Sequence, residues 1–317
     1  MDLSIIIVNW NSAGYVKKSL SSLITNTSGV EQEIIVVDNG SYDSCGNMIA
    51  NDFPAVRFLQ SMENRGFGRA NNFGAEKATG EYLMFLNPDT EVVDGAIPEM
   101  LSVIKGRPRA GVLGCKLLNS DLTTQISCIQ SFPTIVNQFL DAEILQRLFP
   151  RLSLWGTAPL YRDHKEPAEV QVISGACMMI RKAVFEKVGG FSPEYFMYTE
   201  DIDLCHKVQR AGYRNYYTGA VSIVHHGGGS SHVRKGSSFA NVQMRESISK
   251  FFEKTRGKLY SSLYRCSMFL AGVIRLFMTL LVFIPCMLIG RYDRCKASFK
   301  KWAEIVQWSL GIANWAR

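Results

Sequence analysis

Residues 81–92 read EYLMFLNPDTEV, and this stretch decides the fold. Tyr82, Leu83, Met84, Phe85 and Leu86 form an uninterrupted apolar run, which has the length and kind of a strand buried on both faces. Asn87-Pro88-Asp89-Thr90 stops that run, because Pro88 has no N–H to give to a sheet ladder. Asn87 and Asp89 therefore stand at a strand's carboxyl end, where open α/β sheets gather their ligands. On its own, Asn-Pro-Asp is equally the signature of a simple turn. The surrounding chain has to decide between the two.

Towards the N-terminus the same pattern recurs twice. Residues 3–8 (LSIIIV) read as a buried β-branched strand closed by Asn9-Trp10-Asn11-Ser12. Ser12 is placed to cap a helix through Val16, Leu20 and Leu23. Residues 33–37 (EIIVV) are a second buried strand, ending in Asp38-Asn39-Gly40-Ser41, and the crossover between the two suits a right-handed βαβ unit. Residues 56–59 give a short third strand. Asn64-Arg65-Gly66-Phe67-Gly68 then leads through Asn71 into a helix ending near Gly80. Strands, loops and helices alternate through the first 110 residues in the manner of a mononucleotide-binding half-sheet. The Gly-x-Gly at 66–68 does not follow the first strand and lacks the third glycine, and no Walker lysine is present, so dehydrogenase and P-loop chemistry are disfavoured.

On the other side, residues 111–118 (GVLGCKLL) predict another strand, whereas 119–169 are polar, proline-containing and without a period. Such a stretch predicts loops and short helices over a cleft. Residues 170–180 (VQVISGACMMI) return to strand character, broken by Ser174-Gly175-Ala176, and glycine in a strand marks close approach by a ligand or backbone. A short helix over 183–188 stops at Gly189-Gly190. Thr199 is then an N-cap for a helix reaching Gly212, with Glu200, Asp201 and Asp203 in its first turn. Those acids complement the helix dipole whatever else they do. Residues 221–224 form a last strand ending in His225-His226, a histidine pair suited to a metal.

With 317 residues the chain has room for one large or two modest domains. Its net charge of +7 is uneven: residues 1–232 carry 20 Lys/Arg against 24 Asp/Glu, and residues 233–317 carry 15 against 4. The basic excess of the last quarter points to an anionic surface. Eight cysteines show neither Cys-x-x-Cys pairs nor zinc spacing, which predicts a reduced set, and Asp2 without a basic leader argues against a signal peptide. Beyond Ser231, a polar-to-basic helix over 233–259 precedes apolar runs at 266–274 and 276–290, divided by Arg275. Neither run alone reaches the roughly 20 residues of a membrane span. Joined they do, and an in-plane or re-entrant helical hairpin is equally compatible, with Arg265, Arg291, Arg294, Lys296, Lys300 and Lys301 at lipid headgroups and Trp302, Trp308 and Trp315 at the interface. The charges flank apolar runs, not a polar groove, and no nucleic-acid-binding motif is present, so nucleic acid is not expected as a partner.

IIIVNWN at 5–11, VVDNGS at 36–41, NRGFGRANN at 64–72 and FLNPDTEV at 85–92 stand in one order with SGACMMIRK at 174–182, GGFSPEYFMYTEDIDLC at 189–205 and HHGGGSS at 225–231. This series resembles the inverting family 2 glycosyltransferases, most closely their bacterial rhamnosyltransferase-like branch. The resemblance implies a GT-A fold, a Rossmann-like mixed α/β sheet with helices on both faces, over 1–232, with a nucleotide-sugar half at 1–110 and an acceptor half at 111–232. Residues 233–317 follow as a helical membrane-associating segment. It also implies transfer of a rhamnose-like sugar from a dTDP- or UDP-linked donor to a lipid-linked or growing glycan, at the cytoplasmic face of a bacterial inner membrane. Departure of the diphosphate is then assisted by Mg2+ or Mn2+.

The resemblance assigns roles residue by residue. Asp201 matches the base that takes the acceptor proton. Asn9, Asn11, Asp38, Arg65, Gly66, Asn71, Asn87 and Asp89 border the donor, and Gly175, Ala176, Glu200 and Asp203 the acceptor side. Asp89 and His225 match the metal ligands, with His226 as the alternative. Asn87 departs from the common pattern, which has a second acid there, and contributes no charge to the metal. The rival reading is a transferase-like subunit without activity that binds partners through its basic tail.

Overall fold

The computed structural model describes residues 1–93, 95–140, 166–227, 238–288 and 292–312. Gly228 to Ser231, Arg291 and Trp315 lie outside the described residues. The described chain falls into two compact units. One holds 1–132, 166–196 and 200–227; the other holds 133–140, 197–199 and the described residues from 238 onwards.

The first unit is built on β1 (Leu3–Asn9), β2 (Gln32–Asn39), β3 (Arg57–Ser61), β4 (Tyr82–Leu86), β5 (Thr90–Val92), β6 (Ala110–Leu118), β7 (Ile129–Gln130), β8 (Ala168–Val170), β9 (Val172–Ile173), β10 (Cys177–Arg181) and β11 (Arg214–His225). Its helices are α1 (Ala13–Asn26), α2 (Cys45–Asp52), α3 (Phe67–Lys77) and α4 (Ala96–Lys105), then α6 (Lys182–Lys187) and α7 (Glu200–Arg210). The other unit holds α5 (Ile135–Phe139), α8 (Ser238–Arg256), α9 (Lys258–Leu288) and α10 (Tyr292–Ser309).

Among the described residues the main sheet runs β3-β2-β1-β4-β10-β6-β11-β5, with β8 beside β11, and β7 and β9 form a separate pair. The first four strands are mutually parallel, β10 runs antiparallel between β4 and β6, and β11 is parallel to β6. Every residue of β1 and of β4 is buried, as their unbroken apolar runs require of strands covered on both faces by helices. The outcome is a mixed α/β sheet with helices on both faces, as the resemblance implied.

Three local expectations are revised. Ser12 precedes α1 but makes no side-chain cap; its hydroxyl donates to the Trp10 carbonyl. The 170–180 stretch is three short strands, not one interrupted strand. β11 begins at Arg214, well before 221, because the irregular RNYYTGA segment is recruited by pairing to β6 and β8 and not by its own period. The cysteines divide as well: Cys45, Cys115, Cys128, Cys177 and Cys205 are buried free thiols and Cys266 is an exposed one. Cys295 is disulfide-bonded, against the expectation of a wholly reduced set.

Gly66 joins two parts of the sheet's ligand-bearing edge. It opens α3 with φ 83° and ψ 166°, a conformation essentially restricted to glycine, and a Cβ there would lie 2.2 Å from the Phe196 carbonyl oxygen. The backbone of Phe67 donates to that same oxygen, so the close approach is held by a hydrogen bond. Gly66→Ala is therefore expected to cost at least about 1–3 kcal/mol from backbone conformation alone. Chemical denaturation against the parent protein measures it, and a variant of unchanged midpoint would show that the 66–196 approach is not required.

Candidate functional site

Asp89 and His225 are 136 positions apart in the chain, and sheet register unites them. β5 pairs antiparallel with the end of β11, aligning Thr90 with His225, and the His226 N–H donates to the Asp89 carbonyl at 2.9 Å. The Asp89 carboxylate is buried, with Oδ1 3.4 Å from His225 Nε2. Asn87 Nδ2 lies 3.3 Å from the same ring nitrogen, and its backbone is tied down by an N–H to the Ala176 carbonyl.

The tautomer of His225 follows from its neighbours. Gln125 donates its Nε2 to Asn119 Oδ1, which turns its Oε1 towards His225 Nδ1 at 2.8 Å. An amide oxygen only accepts, so Nδ1 carries a proton, and in the neutral ring Nε2 then has its lone pair on the side of Asn87 and Asp89. An imidazole nitrogen and a carboxylate oxygen held this close suit two adjacent ligands of one divalent cation. His226 is engaged otherwise: Nε2 is 2.7 Å from Glu91 Oε1 and Nδ1 is 2.8 Å from the Ser120 hydroxyl. Of the two histidines, His225 is the one that faces Asp89.

Asp201 stands in the first turn of α7. Its Oδ2 accepts the Gly175 N–H and its Oδ1 the Ile202 N–H, both at 2.8 Å. Burial nevertheless raises its pKa above the aspartate value of 3.8, the backbone donors only partly opposing that. The two residues before the helix, Tyr198 and Thr199, have φ of 69° and 71°. Positive φ is costly for any side chain, and especially so for a β-branched one such as Thr199. Thr199 thus precedes α7 in a strained backbone, not in the extended conformation of an ordinary N-cap.

Neighbouring Glu200 is buried, and its Oε2 has no hydrogen-bond partner. Burial, reinforced by the Asp201 charge, pushes it up to about 8. Asp203 is fully buried and is bonded by Ser192 and Tyr195, with Lys207 3.6 Å away. It serves the packing of α7 inside the unit and does not line an open acceptor surface.

On the other flank, the parallel register of β1 and β2 aligns Asn9 with Asp38. Asn9 Nδ2 donates to Asp38 Oδ2 at 2.8 Å, while Asp38 Oδ1 accepts from the Ser41 N–H and from Gln60. Asn11, at φ 52°, braces the facing loop by accepting the Tyr42 N–H. Asp38, Asp43 and Cys45 bring ligand atoms within 4.8 Å of one another, a second place able to hold a cation among the described residues. Burial and the two carboxylates push the Cys45 thiol up to about 12, so it stays protonated and leaves the two acids as donors. Arg65 is half-exposed with Glu63 3.9 Å away, whereas Asn71 is buried and folds back to donate to the Phe67 carbonyl.

The structure therefore brings together Asn87, Asp89 and His225, then Gly175, Ala176 and Asp201, and separately Asn9, Asn11 and Asp38. Asn71 and Asp203 are turned inward. Gln125, Gln60 and Ser120 were not foreseen, because each acts through a contact distant in sequence and sits where no period betrays it.

The chain is similar to known proteins over most of its length. The model of the family described as "Glycosyl transferase family 2" matches residues 4–189, more than half of the chain. An N-acetylglucosaminyl-diphospho-decaprenol L-rhamnosyltransferase of Mycobacterium tuberculosis is 30% identical over 238 residues, covering 71% of this chain and 76% of its own. The rhamnosyltransferase WbbL of Escherichia coli is 28% identical over 232 residues, covering 70% and 82%. Among solved structures, the mannosyltransferase PcManGT from Pyrobaculum calidifontis, in complex with GDP-Man and Mn2+, superposes with a TM-score of 0.60 over 98% of this chain and 86% of its own, at 15% identity. At that identity the likeness is one of fold.

The raised Glu200 carries a sign that can be checked. Between its ordinary 4.5 and about 8 the native state holds a proton that the unfolded chain has lost, so this residue makes stability fall as pH rises through that window. Glu200→Gln should flatten the fall, with its melting temperature gaining on the parent from pH 5 to pH 8. Parallel melting curves for parent and variant would count against the assignment.

Proposed function

We propose that this chain, which belongs to glycosyl transferase family 2, is an inverting enzyme that moves a rhamnose-like sugar from a dTDP- or UDP-linked donor to a lipid-linked or growing glycan. The observation that carries the reading is the joining of two chemical corners by residues 174–176. Gly175 donates to the Asp201 carboxylate, and Ala176 accepts from the backbone of Asn87, two residues from Asp89. Inverting transfer needs both corners. One group must take the proton of the acceptor hydroxyl while the nucleoside diphosphate departs from the opposite face of the sugar.

Asp201 is the base in this reading. Its raised pKa makes the ionised form a better proton acceptor than an ordinary aspartate, and the Gly175 and Ile202 N–H groups fix its direction. Glu200, protonated through most of the neutral range, adds little competing charge beside it. Asp89 and His225 Nε2 would hold a Mg2+ or Mn2+ ion, with the Asn87 amide as neighbour. Bound there, the cation supplies positive charge to the departing diphosphate. The electron-pair donors fit that group: a carboxylate oxygen and an imidazole nitrogen whose proton is committed elsewhere. Asn9, Asn11 and Asp38 form the nucleoside end, and Arg65 and Gly66 border the sugar or its phosphates. The rhamnose and lipid-linked assignments rest on the relatives, and the basic last quarter of the chain supports work at the cytoplasmic face of a bacterial inner membrane.

Asp201→Asn should lower transfer by at least about 10²-fold in a radiolabelled-donor assay while leaving the melting temperature equal or higher, since a base contributes roughly 10²–10⁴ and the raised pKa marks ionisation as unfavourable in the native state. Turnover near that of the parent would remove Asp201 from the base role. The parent's rate should rise with pH through an inflection above 3.8.

Gln125 gives a separate handle. Gln125→Leu leaves His225 Nδ1 without its acceptor and should weaken Mn2+ binding roughly 10–100-fold, the usual effect of losing a group that orients a ligand. Gln125→Glu should retain binding. Calorimetric titration of Mn2+ measures both, and equal affinities for parent and Leu variant would show that Gln125 does not set the tautomer.

A further inference from the structure

Among the described residues, α9 from Lys258 to Val282 is the one helix long and apolar enough to cross a membrane. Its surroundings in the second unit describe a different use. One stripe of the helix is packed inward: Ser261, Tyr264, Met268, Ala271 and Thr279 are buried, at spacings of three, four and eight residues. The stripe is locked to the two flanking helices. The Ser261 hydroxyl bonds to the Ser249 carbonyl of α8, and the Tyr264 ring lies 6.0 Å from that of Trp308 in α10. At Gly272 a Cβ would meet Val306 at 2.6 Å, so the backbones of α9 and α10 approach as closely as glycine allows.

The charges that would hinder burial in lipid are turned to this inner side. Arg275 donates to the Phe139 carbonyl at 2.9 Å and lies 4.3 Å from the centre of the Trp302 ring. Arg265 donates to the Trp308 carbonyl, with Glu246 3.7 Å away. The opposite side is apolar and open: Leu263, Leu270, Val273, Ile274, Phe277 and Leu281 are each more than 40% exposed. No Asp, Glu, Lys or Arg interrupts the exposed positions from Leu263 to Val282.

A helix that spans by itself has apolar surroundings on every side. α9 has them on one side, and on the other it is bound to two helices rich in charge, including Arg245, Lys250, Lys296 and Lys300. Carrying α9 across a bilayer would drag those helices with it or strip the packing from Tyr264 to Arg275. We infer that α9 is an in-plane membrane seat: its outer face is sunk among the lipids of one leaflet, and its inner face stays packed on α8 and α10. The occupant is an anionic bilayer, since residues 233–317 carry 15 Lys/Arg against 4 Asp/Glu. This inference rests on the membrane part of the function proposed above and is independent of the sugar transfer.

The test uses the full chain added to sealed vesicles of phosphatidylcholine with and without phosphatidylglycerol. Flotation should be strong with the anionic lipid, and Leu270→Glu with Phe277→Glu should reduce it at least tenfold while the melting temperature and the soluble-donor reaction hold. Orientation is read separately, in a Cys266→Ser background, with Lys258→Cys and Asp293→Cys, exposed positions on either side of the apolar stretch. A membrane-impermeant maleimide should label both ends from outside intact vesicles before either is lost to the lumen. Protection of one end until the vesicles are lysed would mean a span and overturn the inference. Absence of flotation on either vesicle, with a concentration-dependent dimer in sedimentation, would assign the face to a second copy of the chain instead. Inactive but floating protein would count against the transferase reading alone.

Discussion

The three residues between β9 and β10 hold the candidate site together. Had residues 170–180 formed one continuous strand, the Gly175 N–H and the Ala176 carbonyl would be spent on ladder bonds. Because the chain leaves its pairing with β7 after Ile173 and enters the main sheet only at Cys177, one of those groups reaches Asp201 and the other reaches Asn87. Gly175 also permits the approach: a Cβ there would press on the Asp201 side chain at 3.3 Å. Neither carboxylate could be placed so well by its own element. Asp201 lies just beyond Tyr198 and Thr199, two residues of positive φ, and Asp89 follows a proline, so both depend on a third segment for their relative position.

The buried electrostatics follow from the same arrangement. Two adjacent acids at the start of α7 meet different surroundings: Asp201 has backbone donors on both oxygens, while Glu200 is left with an unbonded buried oxygen. Environment separates two chemically similar groups into an ionisable base and a proton holder. Asp203, two residues further into the same acidic run, goes to a third use in holding Ser192, Tyr195 and Lys207.

What the amino-acid sequence discloses is bounded by the range of its signals. The strands at 3–8, 33–37 and 82–86 were legible because burial on both faces leaves an unbroken apolar run, and their polar ends marked Asp38 and Asp89. The motif series then brought Asp201 and His225 into the same frame. Two kinds of information stayed hidden. The direction of a polar helical side chain is settled by packing, so Asn71 and Asp203 read as ligand contacts although they point inward. Gln125 lies in a polar stretch without period, and its meaning comes from His225, which the sheet brings alongside from 100 residues away. Arg275 was similarly opaque: a charge amid apolar residues reads as an obstacle to membrane contact until Trp302 and the Phe139 carbonyl are found beside it.

The pairing of β5 with the end of β11 has an evolutionary corollary. Strand side chains alternate faces, so a slip of one residue exchanges what each neighbour sees. Here the neighbours on β11 are two consecutive histidines, and the partner strand is only three residues long. A one-position shift of the end of β11 that set residue 226 where 225 now stands would still place an imidazole beside Asp89, with His226 taking the place of His225, whereas a shift the other way would bring Val224 there. The doublet makes this corner tolerant of a one-residue slip in that one direction.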